Sequence, residues 1–267
     1  MLHRGVWRRR GLKSAGVLVA LLTVPFANGA AASAWNQPKG HGQLIVKYEP
    51  VWQIHGFDQD GDRFMLPYER VDHVVSVWGE YGLTDRITLV AKTDWQDIDA
   101  GSKSYQGMGP VEIGAKVALW SHDGLVVSAQ AAFASDSQGR NAVWGSPGEG
   151  EKETEARLLV GRSFGGRYPA FADLQLAHRW RDRLPDEQRL EGAVGVHLNP
   201  RYTVMGQVYA GKTLPVEAEH QSRWNTYEIG VVRHWNDWSA QAGWRAVVSG
   251  RNVNAGDGPI FAVWRRF

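Results

Sequence analysis

The sequence predicts an all-β fold: a single antiparallel, up-and-down β-barrel of twelve strands that crosses a membrane. Three observations point there. Period-two alternation of apolar and polar residues recurs along the chain, and almost no stretch shows a helical 3.6 period. The alternating segments mostly run 10 to 14 residues, whereas a soluble strand has about 5–6 and a tilted membrane strand about 9–11. The chain also closes on a strand, 258–267, whose Phe261, Val263 and terminal Phe267 share one face. An open sheet edge ending on an exposed aromatic invites pairing with other chains. A barrel in lipid has to join its last strand to its first and leaves no edge.

The first 34 residues are excluded from the fold. Arg4, Arg8, Arg9, Arg10 and Lys13 form a basic region, Ala15 to Ala27 an apolar one, and Ala32-Ser33-Ala34 an A-x-A site. That is the pattern of a cleaved secretory signal peptide over 1–34, leaving 35–267 as one outer-membrane domain. The apolar run is too short for a spanning helix, and no second run approaches that length. Cysteine is absent, which excludes a disulfide scaffold or thiolate metal site. The formal charge of +2 becomes −3 once the five basic leader residues go, so nothing in the balance asks for nucleic acid. Thirteen Trp, one of them in the leader, is a count suited to the aromatic girdles of a membrane barrel.

The twelve strands are placed at 43–53, 69–82, 85–95, 110–120, 125–135, 153–165, 168–181, 188–198, 201–211, 225–235, 238–249 and 258–267. Between them long gaps (54–68, 96–109, 136–152, 212–224, 250–257, with a shorter 182–187) alternate with tight turns such as Leu83-Thr84, Asn199-Pro200 and Asn236-Asp237. Outer-membrane barrels show that rhythm, with long loops outside and short turns toward the periplasm. An even strand number then puts both termini in the periplasm.

Alternation assigns the faces. Leu89, Leu158, Val160, Val194, Val196 and Trp244 belong to apolar faces, with charged residues opposite. With the apolar faces outward, the lumen receives Lys47, Glu49, Asp72, Glu80, Arg86, Lys92, Asp94, Glu112, Lys116, Glu155, Arg157, Asp173, Arg179, Glu191, Glu228 and Arg245. Two readings of this interior stay open: a pore lined for polar solutes, or a lumen filled by salt bridges, since a buried charge is tolerable only when paired. Twelve strands lie between barrels filled by side chains and barrels that hold a water channel.

Two pieces carry a resemblance. Glu80 to Leu89, with its Tyr-Gly-Leu-Thr-Asp turn, and Phe57 to Pro67 resemble proteobacterial outer-membrane barrels catalogued as transporters or as relatives of the phenol meta-pathway (MetA-like) barrel. Phe171 to Arg181 and the strand ending in Asn199-Pro200 look like the same group. The resemblance implies fold and location and leaves the cargo open.

The rival class, a lipid hydrolase, needs His and Ser in reach near the outer rim. No His-x-Ser lies on one strand face, and His122 sits in a tight periplasmic turn. Asp58, Asp60 and Asp62 with Glu69 echo a calcium loop, but the middle lacks ligands and the flanks are strands, so a solvated hairpin tip is expected. The segment 145–153 reads as a flexible acidic loop. The expected protein is therefore a monomeric outer-membrane channel or uptake route for a small solute, with no catalytic residue, cofactor or metal. A plugged barrel serving attachment or polysaccharide traffic is the alternative. Its expected partners are membrane lipid and lipopolysaccharide, and the barrel assembly machinery through Phe267.

Overall fold

The computed structural model describes residues 33–101, 103–141, 145–215 and 221–267. The expected leader lies outside these except for Ser33 and Ala34. Thirteen strands and no helix occur among the described residues: β1 (Gly42–Phe57), β2 (Arg63–Gly82), β3 (Ile87–Ala100), β4 (Lys103–Met108), β5 (Glu112–His122), β6 (Leu125–Ala134), β7 (Glu153–Phe164), β8 (Ala170–Arg181), β9 (Glu187–Asn199), β10 (Tyr202–Thr213), β11 (Arg223–Trp235), β12 (Trp238–Arg251) and β13 (Val253–Arg266). All strand pairings are antiparallel and join sequence neighbours, except that β5 pairs with β3 and that β1 pairs with β13 as well as β2. β4 and β5 pair with the upper and lower halves of β3, so together they act as one wall strand. The result is a closed twelve-stranded barrel.

Closure is completed at the rim that holds both chain ends of the sheet, here the lower rim. Phe267 N–H donates to the Gly42 carbonyl at 3.0 Å, and Gly42 N–H donates to the Phe267 carbonyl at 2.8 Å. Phe261, Val263 and Phe267 face outward, while Ile260, Ala262 and Trp264 between them are buried inside. Arg265, a charge on the outward face, lies 4.9 Å from the Trp238 ring centroid. A guanidinium over an indole near the rim keeps its polar edge wet, which makes the departure from an all-apolar face tolerable.

The apolar outer wall matches the alternation of the sequence: Leu44, Leu89, Leu158, Leu174, Val194, Ile229 and Trp244 all point outward. Outward Trp120, Trp235 and Trp238 sit toward the lower rim and Trp52, Trp95 and Trp180 higher up. The inner face differs from expectation. Ile45, Trp78, Val90, Phe171, Met205, Val232, Ala262 and Trp264 form an apolar cluster inside the lower barrel. Three Trp (Trp78, Trp224, Trp264) therefore fill the inside and take no part in a girdle. Period-two alternation reports the lipid face, where polarity is costly; the inner face accepts either kind of side chain.

The expected long–short alternation of connections is corrected on its long side. The lower turns are tight, but at the upper rim only 135–152 and 214–222 are long; 58–62, 101–102, 182–186 and Asn252 are the others. The ladder continues above the apolar band, as in the pairs His55↔Met65 and Phe57↔Arg63, because main-chain bonding does not depend on side-chain polarity. The segment placed in a loop at 96–109 contains β4 and ends at Gly109-Pro110, where Pro110 offers no N–H to the ladder. A Cβ on Gly109 would lie 1.8 Å from the Asp94 carboxylate, so only glycine fits that step.

The expected flexible acidic loop is likewise folded: Glu151 and Glu153 are buried and paired with Arg181. At the β1–β2 tip, Asp58 Oδ1 accepts N–H bonds from Asp60 and Asp62, and Glu69 lies within β2. Those bonds make an Asx-type turn, the solvated tip the spacing predicted.

Deleting Phe267 removes two rim hydrogen bonds and one outward ring. The expected outcome is a folded barrel destabilised by about 1–3 kcal/mol, read as a lower urea midpoint of the heat-modifiable band on a gel.

Candidate functional site, the barrel lumen

Ionisable side chains project inward from nearly every strand and sort into groups by the register of the sheet. On the wall of β5 and β7 to β9, Glu155 sits opposite Arg179, and Glu153 opposite Arg181. Arg157 then reaches Glu155 at 2.9 Å and Glu191 at 2.6 Å, and Arg179 reaches Glu155 at 2.8 Å and Glu153 at 2.5 Å. Glu112 is a looser member, 3.4 Å from Arg179. Higher on the same wall Glu187 takes both Arg181, at 3.0 Å, and Arg189, at 2.5 Å. Arg157, Arg179 and Arg181 thus each meet two or three carboxylates, an arrangement the planar fork of guanidinium donors suits.

Across the lumen, β1, β11 and β12 supply a smaller group. Lys47 lies 2.8 Å from Glu228 and 3.1 Å from Glu49, and Arg245 lies 2.7 Å from Glu49. Gln241 donates to Glu228 at 3.0 Å, and the Arg245 guanidinium stands 4.6 Å from the Tyr209 ring centroid. Lys92 and Asp94 of β3 complete the circumference. A cavity of about 240 Å³ lies among these walls.

The lumen is narrowed from above by residues 135–141 and 145–152. Arg140 pairs with Asp72 at 2.7 Å, and its main chain exchanges hydrogen bonds with the Gln96 amide. Asp72 is also held by Arg70 at 2.8 Å. Burial pushes the Arg140 guanidinium below its ordinary value, and the Asp72 carboxylate opposes that shift.

It is narrowed from below by the N-terminal segment 33–38, which enters the ring at the lower rim. Lys116 Nζ donates to the Ser33 carbonyl at 2.7 Å and lies 3.1 Å from Glu80. Ala34 N–H donates to Asp173 at 2.8 Å, and the Ser128 hydroxyl donates to the Ala34 carbonyl at 2.6 Å. Gln37 donates from its main chain to Thr88 at 2.9 Å and from its amide to Glu80 at 2.8 Å. Trp35 meets Phe171 edge-on, at 6.3 Å and 88°, and packs on the apolar cluster. Gly161 makes room, since a Cβ there would lie 2.8 Å from the Trp35 ring.

The lumen list read from the sequence is thereby sorted. Fifteen of the sixteen occupy strands; Arg86 is the exception, an exposed member of the lower turn before β3 whose carbonyl accepts from Asn36. Glu49, Glu112, Glu155, Arg157, Arg179, Glu191, Glu228, Lys47, Lys92, Asp94 and Arg245 border the central cavity. Asp72, Glu80, Lys116 and Asp173 instead hold the two narrowing segments. Sequence reasoning missed Arg70, Arg140, Glu151, Arg181, Glu187 and Tyr209 as parts of these networks. Arg70, Arg181 and Glu187 share the inward parity of neighbours that were placed, so extending the alternation finds them. Arg140 and Glu151 lie in a loop with no period to read.

Three histidines of the wall are held in local contacts. Thr203 Oγ1 lies 2.8 Å from both His197 Nδ1 and His234 Nε2, and His234 Nδ1 lies 2.8 Å from Ser239. His178 is on the outer wall, its ring 4.5 Å from that of Trp180.

A closed, twelve-stranded antiparallel ring with an apolar outside and a charged inside is the fold of an outer-membrane β-barrel. Among solved structures the chain is similar to an outer membrane channel from Pseudomonas putida F1, with a TM-score of 0.71 at 11% identity over 90% of this chain and 100% of that one. It is also similar to the NanC porin, with a TM-score of 0.52 at 9% identity over 82% and 98% of the two chains. A third likeness is to the KdgM porin solved with a disordered oligogalacturonate, with a TM-score of 0.52 at 12% identity over 84% and 99%. No protein-family profile and no curated protein sequence matches the chain.

Arg157→Ala leaves Glu155 and Glu191 without their main counter-charge inside the barrel. The expected loss is about 3–5 kcal/mol of stability in urea unfolding, while Arg157→Lys, which keeps the charge but not the fork, loses less.

Proposed function

We propose that the protein is a monomeric outer-membrane channel that passes small polar solutes passively, with both chain ends of the barrel on the periplasmic side. The observation that carries this reading is the central cavity, walled by charged side chains on opposite sides and narrowed at each end by segments that are not wall strands. The kinship to the transporter and meta-pathway (MetA-like) barrels, the cleaved leader over 1–34, docking of Phe267 on the assembly machinery and contact with lipopolysaccharide belong to the same proposal. The two long connections, 135–152 and 214–222, both lie at the upper rim, which supports the orientation. No catalytic step, cofactor or metal enters it.

A plugged, structural barrel is the second reading, favoured by one specific observation: residues 35–38, which remain once the leader is removed, enter the lower lumen, where Gln37 bonds Thr88 and Glu80 and Trp35 packs on Phe171. Planar-bilayer recording of the purified protein separates the two. The channel reading expects small resolvable current steps, enlarged severalfold when residues 35–38 are removed. Silence from both proteins at every voltage establishes the plugged reading.

The β5–β9 wall also predicts selectivity. Glu112, Glu151, Glu153, Glu155, Glu187 and Glu191 outnumber Arg157, Arg179, Arg181 and Arg189 there. The local field therefore favours cations. In a potassium chloride gradient the reversal potential is expected on the cation side. Glu112→Gln, at the loosest of these contacts, is expected to move it toward zero without unfolding the barrel.

A further inference from the structure

The upper mouth holds a second cavity, of about 680 Å³, bordered by Arg70 and by Ser146, Pro147 and Glu149 of the upper narrowing segment. Its lining includes two aromatic rings, Phe64 and Tyr68, each roughly half exposed and on the same alternation of β2 as the buried Arg70. Both rings are laid down by glycines. Gly56 stands across the ladder from Phe64, and a Cβ on it would lie 2.8 Å from that ring. A Cβ on Gly101, at φ +69°, would likewise lie 2.8 Å from the Tyr68 ring. Each ring is thus seated with one side on bare main chain and leaves the other to the cavity. A ring fixed in this way has already given up its rotamer freedom before anything binds.

Around these rings stand Gln59, Lys103 and Asn254, whose side chains have no hydrogen-bond partner among the described residues, and Glu149. Aromatic girdles of a barrel wall face lipid; these rings face an aqueous mouth and are ringed by amide, ammonium and carboxylate groups. The ligand such a site suits has flat apolar faces edged by many hydroxyls. Pyranose rings have that shape: their C–H faces lie on aromatic rings, and their hydroxyls take bonds from amides, carboxylates and ammonium groups.

We propose that the upper mouth is a capture site for saccharides, stacking successive sugar rings on Phe64 and Tyr68 ahead of the charged lumen. The inference rests on the channel reading only for its purpose, since binding does not require conduction.

Calorimetric titration of the whole protein in detergent tests it, with maltohexaose and trigalacturonate as saccharide probes and benzyl alcohol as a hydroxyl-poor aromatic. At least one saccharide is expected to bind, about five- to tenfold more weakly in Phe64→Ala and in Tyr68→Ala, as loss of one stacked ring face predicts. Tyr68→Phe, which keeps the ring, is expected to bind like the parent. The proposal fails if the parent binds neither saccharide, if both alanine variants bind them unchanged, or if benzyl alcohol alone binds and is displaced by neither. A silent bilayer with saccharide binding intact overturns the channel and leaves the capture site standing.

Discussion

Main-chain hydrogen bonding from β1 to β13 is the constraint from which the rest of the molecule follows. In hydrocarbon an unpaired N–H or carbonyl costs several kcal/mol, so the sheet has no stable form other than a ring. Once the ring is closed, alternate side chains have only two destinations. One is lipid, where Leu, Val and Trp are stable. The other is a confined interior, where each charge has to find an opposite one. The ion networks of β7 to β9 are therefore a consequence of register: Glu155 faces Arg179 because both sit an even number of residues from inward-facing neighbours on strands that are paired.

The interior divides by height. Its lower third is apolar and contains Trp35, its middle is charged and hollow, and its upper third is crossed by Arg140 reaching Asp72. The two crossing segments differ in how they are held. The upper one rests on a salt bridge and amide bonds from one loop. The lower one uses main-chain donors and acceptors against side chains of four wall strands, Thr88, Lys116, Ser128 and Asp173. Each of those wall groups is small or singly placed, and their agreement on one short peptide shows how closely the ring fits it.

Much of this was legible in the residues. Lipid punishes a polar outward side chain, so alternation located every wall strand except β4 and assigned its two faces, and glycine and asparagine marked the lower turns. The inward charges were legible for the same reason, by parity. Strand ends were not, because the ladder of His55 to Phe57 with Arg63 to Met65 continues where the apolar pattern stops. The inward Trp78 and Trp264 were invisible as core, since a Trp count alone suits a girdle equally well. Hardest of all was the segment at Ser33 to Gln37. Small residues there satisfy an A-x-A site, and the same smallness lets them lie against Ser128 and Gly161. Nothing local distinguishes the two uses; the distinction lies in partners far along the chain.

The lower segment is joined to β1 by only a few residues after Gln37, so it can never diffuse away from its seat. A tether that short holds a peptide at an effective concentration on the order of millimolar or above. Contacts too feeble to bind the same peptide from solution therefore suffice to keep the ring occupied. Occupancy becomes a balance set by single wall atoms, such as the Ser128 hydroxyl, and small changes in any of them are read out by the whole conduit.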